Sequence, residues 1–335
     1  MRREIYRTWM LDGRERKKRV LKNHWKKTDE RNVLEVKEKA GVTYLSYPLL
    51  EHTNCVRHTF STRLGGVSEG IYASMNLSFS RGDDPEAVRE NFRRMAEVLE
   101  ISPEQYVFSA QTHTTNVREA TKNDARNRHL FPEACVMGCP DGYTLSDGVC
   151  QPEACVTGCP VGYTDGYTDV DGLVTNQPGL CLATFYADCV PLFFVDPVRR
   201  AIGLSHSGWR GTVGKIGKVT VEKMTKLYGT DPKDVVAAVG PSICQDCYEV
   251  SEDVIAQFRE NYDEKYWENL FYAKENGKYQ LNLWEANHIV LQEAGIPSEQ
   301  IAVTNICTCC NSELLFSHRA SQGKRGNLGA FLVLE

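Results

Sequence analysis

Apolar and polar positions alternate along residues 33–62, which close on a β-rich stretch from Val56 to Phe60, and this pattern predicts strands. A Gly-rich loop follows at 63–82, headed by R-L-G-G-V-S-E-G. Asp84 and Pro85 then open a helix on which Val88, Phe92, Met95 and Leu99 recur on one face. Residues 106–118, Y-V-F-S-A-Q-T-H-T-T-N-V-R, read as one strand ending at polar groups. From 171 the pattern turns strongly apolar. D-G-L-V-T leads into L-C-L-A-T-F-Y-A-D-C, a buried strand ending at Asp188-Cys189, and L-F-F-V-D is a second strand. A-I-G-L-S-H-S-G-W-R-G-T is a third, running through a Gly-rich turn into a helix with Val213, Ile216, Thr220, Met224 and Leu227 on one side. The layout repeats with V-V-A-A-V-G-P-S-I and a helix near Glu252 to Arg259. A helix around Leu283 to Ala294, a strand at Ile301 to Ile306 and a final strand at Gly329 to Leu334 complete it. Strand, polar turn, helix is the arrangement in which α/β proteins place ligands at strand ends. The expected fold class is α/β.

Between these elements lies a near-perfect tandem repeat of period twenty. P-E-A-C-V-M-G-C-P-D-G-Y-T at 132 is followed by P-E-A-C-V-T-G-C-P-V-G-Y-T at 152. Short Gly/Pro/Cys units cannot build an apolar core and need a crosslink, a metal or packing against neighbours. Strand-like sequence resumes on both sides, so the repeat reads as an insertion, at 129–165. Its five cysteines, Cys135, Cys139, Cys150, Cys155 and Cys159, fit a structural or accessory role better than a catalytic one.

Length and composition narrow the function classes. With 335 residues, 41% hydrophobic and 25% charged, the chain has enough apolar material for one large domain or two ordinary ones. The net charge of -5 gives no global pull toward nucleic acid. The charge is uneven, since residues 1–30 carry eleven Lys/Arg against five Asp/Glu, and residues 1–32 read as a basic, flexible extension. No secretory signal or membrane span is expected, and thirteen Cys in such a chain suggest a reducing, cytoplasmic compartment.

Three polar clusters fall at the ends of expected strands: Gln111/His113, Asp188/Cys189 and His206/Arg210. Two His and one Cys leave a fourth zinc position open for water or substrate. Their wide separation leaves the reading open: each His singly also fits a satisfied polar group, and Cys189 fits inert packing. Arg210, with the free N–H groups of a helix start, and Arg63, in a Gly-rich turn, are candidate anion contacts or ordinary turn residues. Cys244 and Cys247, and separately Cys307, Cys309 and Cys310, form thiol clusters that read as structural. The C-x-x-C at 244 could be redox-active near a helix start, but has no thioredoxin-like surroundings.

Together these stretches resemble the YfiH family, also called the laccase-domain or polyphenol oxidase family and now regarded as purine nucleoside phosphorylases. The matching segments are F-S-T-R-L-G-G-V-S at 60, M-N-L-S at 75, Q-T-H-T-T-N-V at 111, D-G-L-V-T at 171, A-D-C-V-P at 187, H-S-G-W-R-G-T at 206, G-P-S-I at 240 and L-F-S-H-R at 315. The resemblance implies a layered α/β sandwich of mixed sheets flanked by helices. It implies one catalytic domain over 33–335, interrupted by the insertion, with zinc held by His113, Cys189 and His206. By position, Arg63, Arg210 and Gln111 become phosphate or substrate contacts, and Asp188 and Cys189 become catalytic. The activity implied is phosphorolysis of adenosine, inosine and methylthioadenosine, with deamination of adenosine beside it. The partners implied are a nucleoside and phosphate, with no nucleic acid, no membrane, and a homodimer left open. The usual glycine after Q-x-H is Thr114 here, a change expected to narrow the turn.

Two other chemistries compete. A copper polyphenol oxidase is implied by the older family name, but multicopper sites draw mostly on imidazole, and the chain has eight His and no His-X-His. A hydrolase with Cys189 as nucleophile competes directly with the metal reading, because a ligated thiolate is a poor nucleophile. A non-enzymatic binding module built on the Cys-rich repeat is the remaining alternative.

Overall fold

The computed structural model describes residues 25–125 and 167–335, together with two short strands at 145–146 and 149–150. In chain order the strands are Glu35–Lys39 (β1), Val42–Ser46 (β2), Val56–Ser61 (β3), Tyr106–Ala110 (β4), Val117–Glu119 (β5), Leu145–Ser146 (β6), Val149–Cys150 (β7), Tyr167–Thr168 (β8) and Gly172–Thr175 (β9). They continue with Cys181–Tyr186 (β10), Val190–Asp196 (β11), Ala201–Ser207 (β12), Val236–Val239 (β13), Glu249–Val250 (β14), Phe271–Ala273 (β15), Tyr279–Leu281 (β16), Ile301–Val303 (β17) and Leu328–Leu334 (β18). The helices that matter for the site and its frame are Pro85–Leu99 (α1), Trp209–Val213 (α2), Ile216–Tyr228 (α3), Glu252–Asn261 (α4), Leu283–Glu293 (α5) and His318–Ser321 (α6).

Two mixed sheets stack face to face. One has seven strands in the order β1-β2-β3-β18-β10-β4-β8, the other six in the order β17-β13-β11-β12-β9-β5. Successive residues of a strand face opposite sides, and the central strands show why they read as continuous apolar runs. On β10, Leu182 and Tyr186 face the layer between the sheets, while Cys181, Ala183 and Phe185 face α1. On β11, Phe193 and Val195 face that same inner layer, while Val190, Leu192 and Phe194 pack under α3, α4 and α5. The result is a helix–sheet–sheet–helix sandwich, as the resemblance implied. Among the described residues, no helix is long and apolar enough to cross a membrane.

The structure departs from the pattern in three places. The stretch 106–118 is two strands, β4 in one sheet and β5 in the other, and the turn between them carries Gln111 to Asn116. The helix after H-S-G-W-R-G is broken at Gly214 and Lys215, the latter with φ 57, and Leu227 on its expected apolar face is 38% exposed. A side chain at Gly214 would displace Thr115, since a Cβ there would meet Thr115 Cγ2 at 2.5 Å. Finally, residues 26–31 are held against the domain: Lys26 N–H donates to Asn311 Oδ1 (2.8 Å), and Asn305 Nδ2 donates to the carbonyls of Asp29 and Arg31. Residues 1–24 lie outside the described residues. So does the Cys-rich insertion, apart from the antiparallel pairing of β6 with β7.

Candidate active site and metal centre

Three chain crossings meet at one end of the sandwich. The turn after β4 brings His113, the turn after β10 brings Cys189, and the end of β12 brings His206. Their ligand atoms all lie within 4.8 Å of one another. Cys189 Sγ is 3.8 Å from His113 Nε2, and the two imidazole rings meet edge to face with centroids 5.0 Å apart.

Asp171, fully buried just before β9, organises this meeting. Its Oδ1 accepts from the backbone N–H of His113 (3.1 Å) and from His206 Nδ1 (2.8 Å). Its Oδ2 accepts from the N–H groups of Thr112 (3.1 Å) and Thr114 (2.8 Å) and from the Thr114 hydroxyl (3.0 Å). Three consecutive N–H groups can converge on one carboxylate because His113 adopts the left-handed conformation, φ 66. Burial alone would raise the Asp171 pKa, but the bonds from His206, Thr114 and Thr112 outweigh it and hold the carboxyl below its usual value. An ionised Asp171 can only accept, so His206 Nδ1 carries the proton and Nε2 keeps its lone pair for the cluster. Thr114 adds a hydroxyl donor to this carboxylate, which a glycine there would not.

Without a metal, the charges pair among themselves. Burial pushes the Cys189 thiol up, but the neighbouring His206 charge and the hydrogen bonds of both histidines pull it down to about 6. Burial likewise opposes charge on His206, but the Cys189 thiolate and Asp171 lift it to about 9. Two imidazoles and a readily ionised thiol, with one ligand atom each inside a 4.8 Å cluster, suit a zinc ion with one position open. The metal would sit at the wall of a cleft of about 300 Å³ lined by Arg81, Gln111, Phe185, Tyr186, Arg325 and Asn327, among others.

The family model described as multi-copper polyphenol oxidoreductase laccase matches residues 57–335. The chain belongs to that family. It is 33% identical over 285 residues to purine nucleoside phosphorylase YlmD of Bacillus subtilis, covering 82% of this chain and 87% of that protein. It is 35% identical over 284 residues to a purine nucleoside phosphorylase of Bacteroides thetaiotaomicron, covering 85% and 93%. It is also 33% identical over 267 residues to adenosine deaminase RL5 from an unknown prokaryotic organism, covering 78% and 87%. Among solved structures, YlmD of Geobacillus stearothermophilus superposes with a TM-score of 0.75 at 31% identity, over 91% of this chain and all of that one.

Within this laccase-domain fold, the residues singled out from sequence have different surroundings. Gln111 lines the cleft, and its amide pairs with both the N–H (2.7 Å) and the carbonyl (2.9 Å) of Phe185, tying the His113 turn to the end of β10. Asp188 sits beside the cluster with φ 92, but its carboxylate accepts from Thr308 Oγ1 and from the N–H of Arg319, both at 2.7 Å. Arg63 donates to the carbonyls of Ala73 and Ser312 and lies over the Phe316 ring. Arg210 lies over the Trp209 ring at 4.3 Å, and α2 behind it has one turn, too short for a useful helix dipole. Neither arginine lines the cleft.

Two other arginines do, Arg81 and Arg325. Arg325 is 9% exposed, its Nη1 donates to Gly326 O and Asn327 Oδ1, and its buried Nε finds no partner among the described residues. Burial, reinforced by the Arg81 charge, lowers its pKa to about 10, so it stays cationic at neutral pH. Pattern reading missed both, because nothing in S-R-G-D-D-P or G-K-R-G distinguishes them from surface loops.

Gly208 lets the three ligand segments close up. Its φ of -72° suits any residue, but a Cβ there would stand 2.7 Å from His113 Cδ2 and 3.2 Å from Cys189 Sγ. Gly208→Ala is therefore expected to push the ligands apart and sharply reduce bound metal, with secondary structure intact. Metal content and circular dichroism of the purified variant check this; full metal content would show that the ligands have room to yield.

Proposed function

We propose that this protein is a zinc-dependent purine nucleoside phosphorylase, acting on adenosine, inosine and methylthioadenosine, with adenosine deamination as a side activity. The observation that carries this reading is the joining, in one cleft, of an open three-ligand metal cluster to a pair of arginines, one with an unpaired buried N–H. Kinship with proteins named purine nucleoside phosphorylase and adenosine deaminase supports it.

Phosphate would rest on Arg325 and Arg81, whose charges suit a dianion better than any neutral group. The purine and ribose would fill the rest of the cleft along Phe185 and Tyr186, whose volume is at the lower end of small-molecule sites. A phosphate oxygen forms the new bond to the anomeric carbon as the glycosidic C–N bond breaks, and the departing base takes that electron pair and then a proton. Positive charge develops on the ribose in between, and the oriented phosphate dianion stabilises it. Catalysis here is chiefly positioning and electrostatics. Zinc on His113, Cys189 and His206 would supply a Lewis acid for polarising the substrate and, with adenosine, for activating water. Asp171 holds His206 in the ligating tautomer. Gln111 and Asp188 act as positioning residues, the first joining the His113 turn to Phe185, the second fixing the backbone next to Cys189.

The donor set favours zinc over a copper laccase centre. The cleft lining holds two histidines, His113 and His206, whereas a multicopper assembly needs many imidazoles. Incubation with inosine and phosphate tests the chemistry. The expected products are hypoxanthine and ribose 1-phosphate in equal amounts. Free ribose in place of the ester, or phenol oxidation by zinc-only protein with no nucleoside turnover, would overturn the proposal.

A further inference from the structure

The two thiol clusters that looked separate in the sequence meet in space. β13 and β17 are parallel neighbours in the six-stranded sheet, with Val239 opposite Val303. The segments leaving them run on side by side: Thr304 N–H donates to Val239 O, Ser242 bridges Cys307, and Thr308 N–H donates to Ser242 O, both bonds at 3.0 Å. Each segment then carries a C-x-x-C pair, Cys244 with Cys247 and Cys307 with Cys310. All four sulfurs lie within 4.8 Å of one another, and all four thiols are free.

We propose that Cys244, Cys247, Cys307 and Cys310 form a second metal site, a structural one, which takes a single zinc ion through four thiolates. The spacing supports one ion. A zinc–sulfur bond of about 2.3 Å sets tetrahedral sulfurs about 3.8 Å apart, and Cys247 Sγ lies 3.5 Å from Cys310 Sγ. Four sulfurs this close leave no room for the bridging sulfides of an iron–sulfur cluster. The surrounding backbone is already arranged for thiolate: the N–H groups of Cys244 and Cys310 both point at Cys307 Sγ, at 3.2 and 3.4 Å. Donors of this kind orient a ligating sulfur and stabilise its charge. Cys244 and Cys307 are buried at the base and Cys247 and Cys310 are half-buried at the rim, so an ion has a way in. Binding would exchange the thiol protons for zinc with no change of oxidation state.

This zinc would act as a staple beside the active site. Thr308, within the second C-x-x-C, donates to Asp188 Oδ1, and Ile243, next to Cys244, donates its N–H to Asp188 O at 3.0 Å. Both clamped segments therefore grip the residue before Cys189. The inference does not depend on the nucleoside reading.

Differential alkylation of the wild-type protein, read by mass spectrometry, tests it without altering the fold. In zinc-loaded, reduced protein, Cys247 and Cys310 should resist the reagent while half-buried Cys309 reacts. After a chelator, with the thiols kept reduced, both should become reactive. Metal analysis gives the second readout: the Cys247→Ser/Cys310→Ser double variant should carry one zinc per chain fewer than wild type, and Cys309→Ser should carry the same. Labelling of Cys247 and Cys310 as fast as Cys309 in loaded protein would overturn the proposal. So would equal zinc in wild type and the double variant, or a native Cys247–Cys310 disulfide.

Discussion

Asp171→Asn is expected to lower zinc affinity by about 10- to 100-fold and to take most nucleoside turnover with it, although Asp171 touches neither metal nor substrate. Five donors share its two oxygens, three at Oδ2 and two at Oδ1. An amide replaces one acceptor with an NH2 group. At the Oδ2 position it would strand the donors of Thr112 and Thr114, at about 1–3 kcal/mol for each buried group left unpaired. At the Oδ1 position it faces fewer donors, and one of them, His206, can change tautomer and accept from it. The amide nitrogen therefore turns toward His206. That moves the imidazole proton to Nε2 and removes the lone pair a metal needs. The expected signature is weak zinc binding in competition with a chelating dye, with secondary structure retained. Wild-type zinc affinity would show that His206 does not depend on this carboxylate for its tautomer.

Arg325→Ala is the second large effect. A charge-assisted hydrogen bond is worth about 1.5–3 kcal/mol, so losing one or two should raise the KM for phosphate by about tenfold or more. The KM for inosine should move little, because the base and ribose are held elsewhere. Arg325→Lys, which keeps the charge but not the fork, should recover part of the loss. Initial rates across a phosphate series in the three proteins separate the outcomes. A fall in kcat with an unchanged phosphate KM would place the phosphate away from this arginine. The same series with Arg63→Ala and Arg210→Ala should show normal phosphate KM, since both side chains are engaged with carbonyls or aromatic rings outside the cleft.

The elements that carry their own periodicity were legible in the sequence. α1 begins at the Asp84 cap and buries Val88, Phe92, Met95 and Leu99 as its spacing requires. The apolar runs of β10 and β11 are apolar because both faces of each strand are covered. The three candidate ligands were legible as polar groups at or just beyond strand ends, but only the family resemblance joined them into one site. What was not legible depends on chain segments that only the fold brings together. Asp171 reads as an ordinary residue ahead of a strand; its importance comes from the turn at 112–114 closing over it. Arg81 and Arg325 are far apart in the chain and share a cleft only because the loops before α1 and β18 converge. Cys244 and Cys307 gave the same difficulty, since a parallel β13–β17 pairing cannot be read from two isolated thiol pairs. The break between α2 and α3 escaped because hydrophobic spacing continues across it, while the constraint, Gly214 against Thr115, is tertiary.

The central claim is that nucleoside phosphorolysis runs at the cluster of His113, Cys189 and His206. Its most direct test is the rate of ribose 1-phosphate formation from inosine and phosphate in wild type and His113→Ala, with zinc content measured on the same samples. The account predicts that the variant loses the zinc of this site and its phosphorolysis together, with the fold retained. Undiminished phosphorolysis by a His113→Ala protein that has lost that zinc would contradict it.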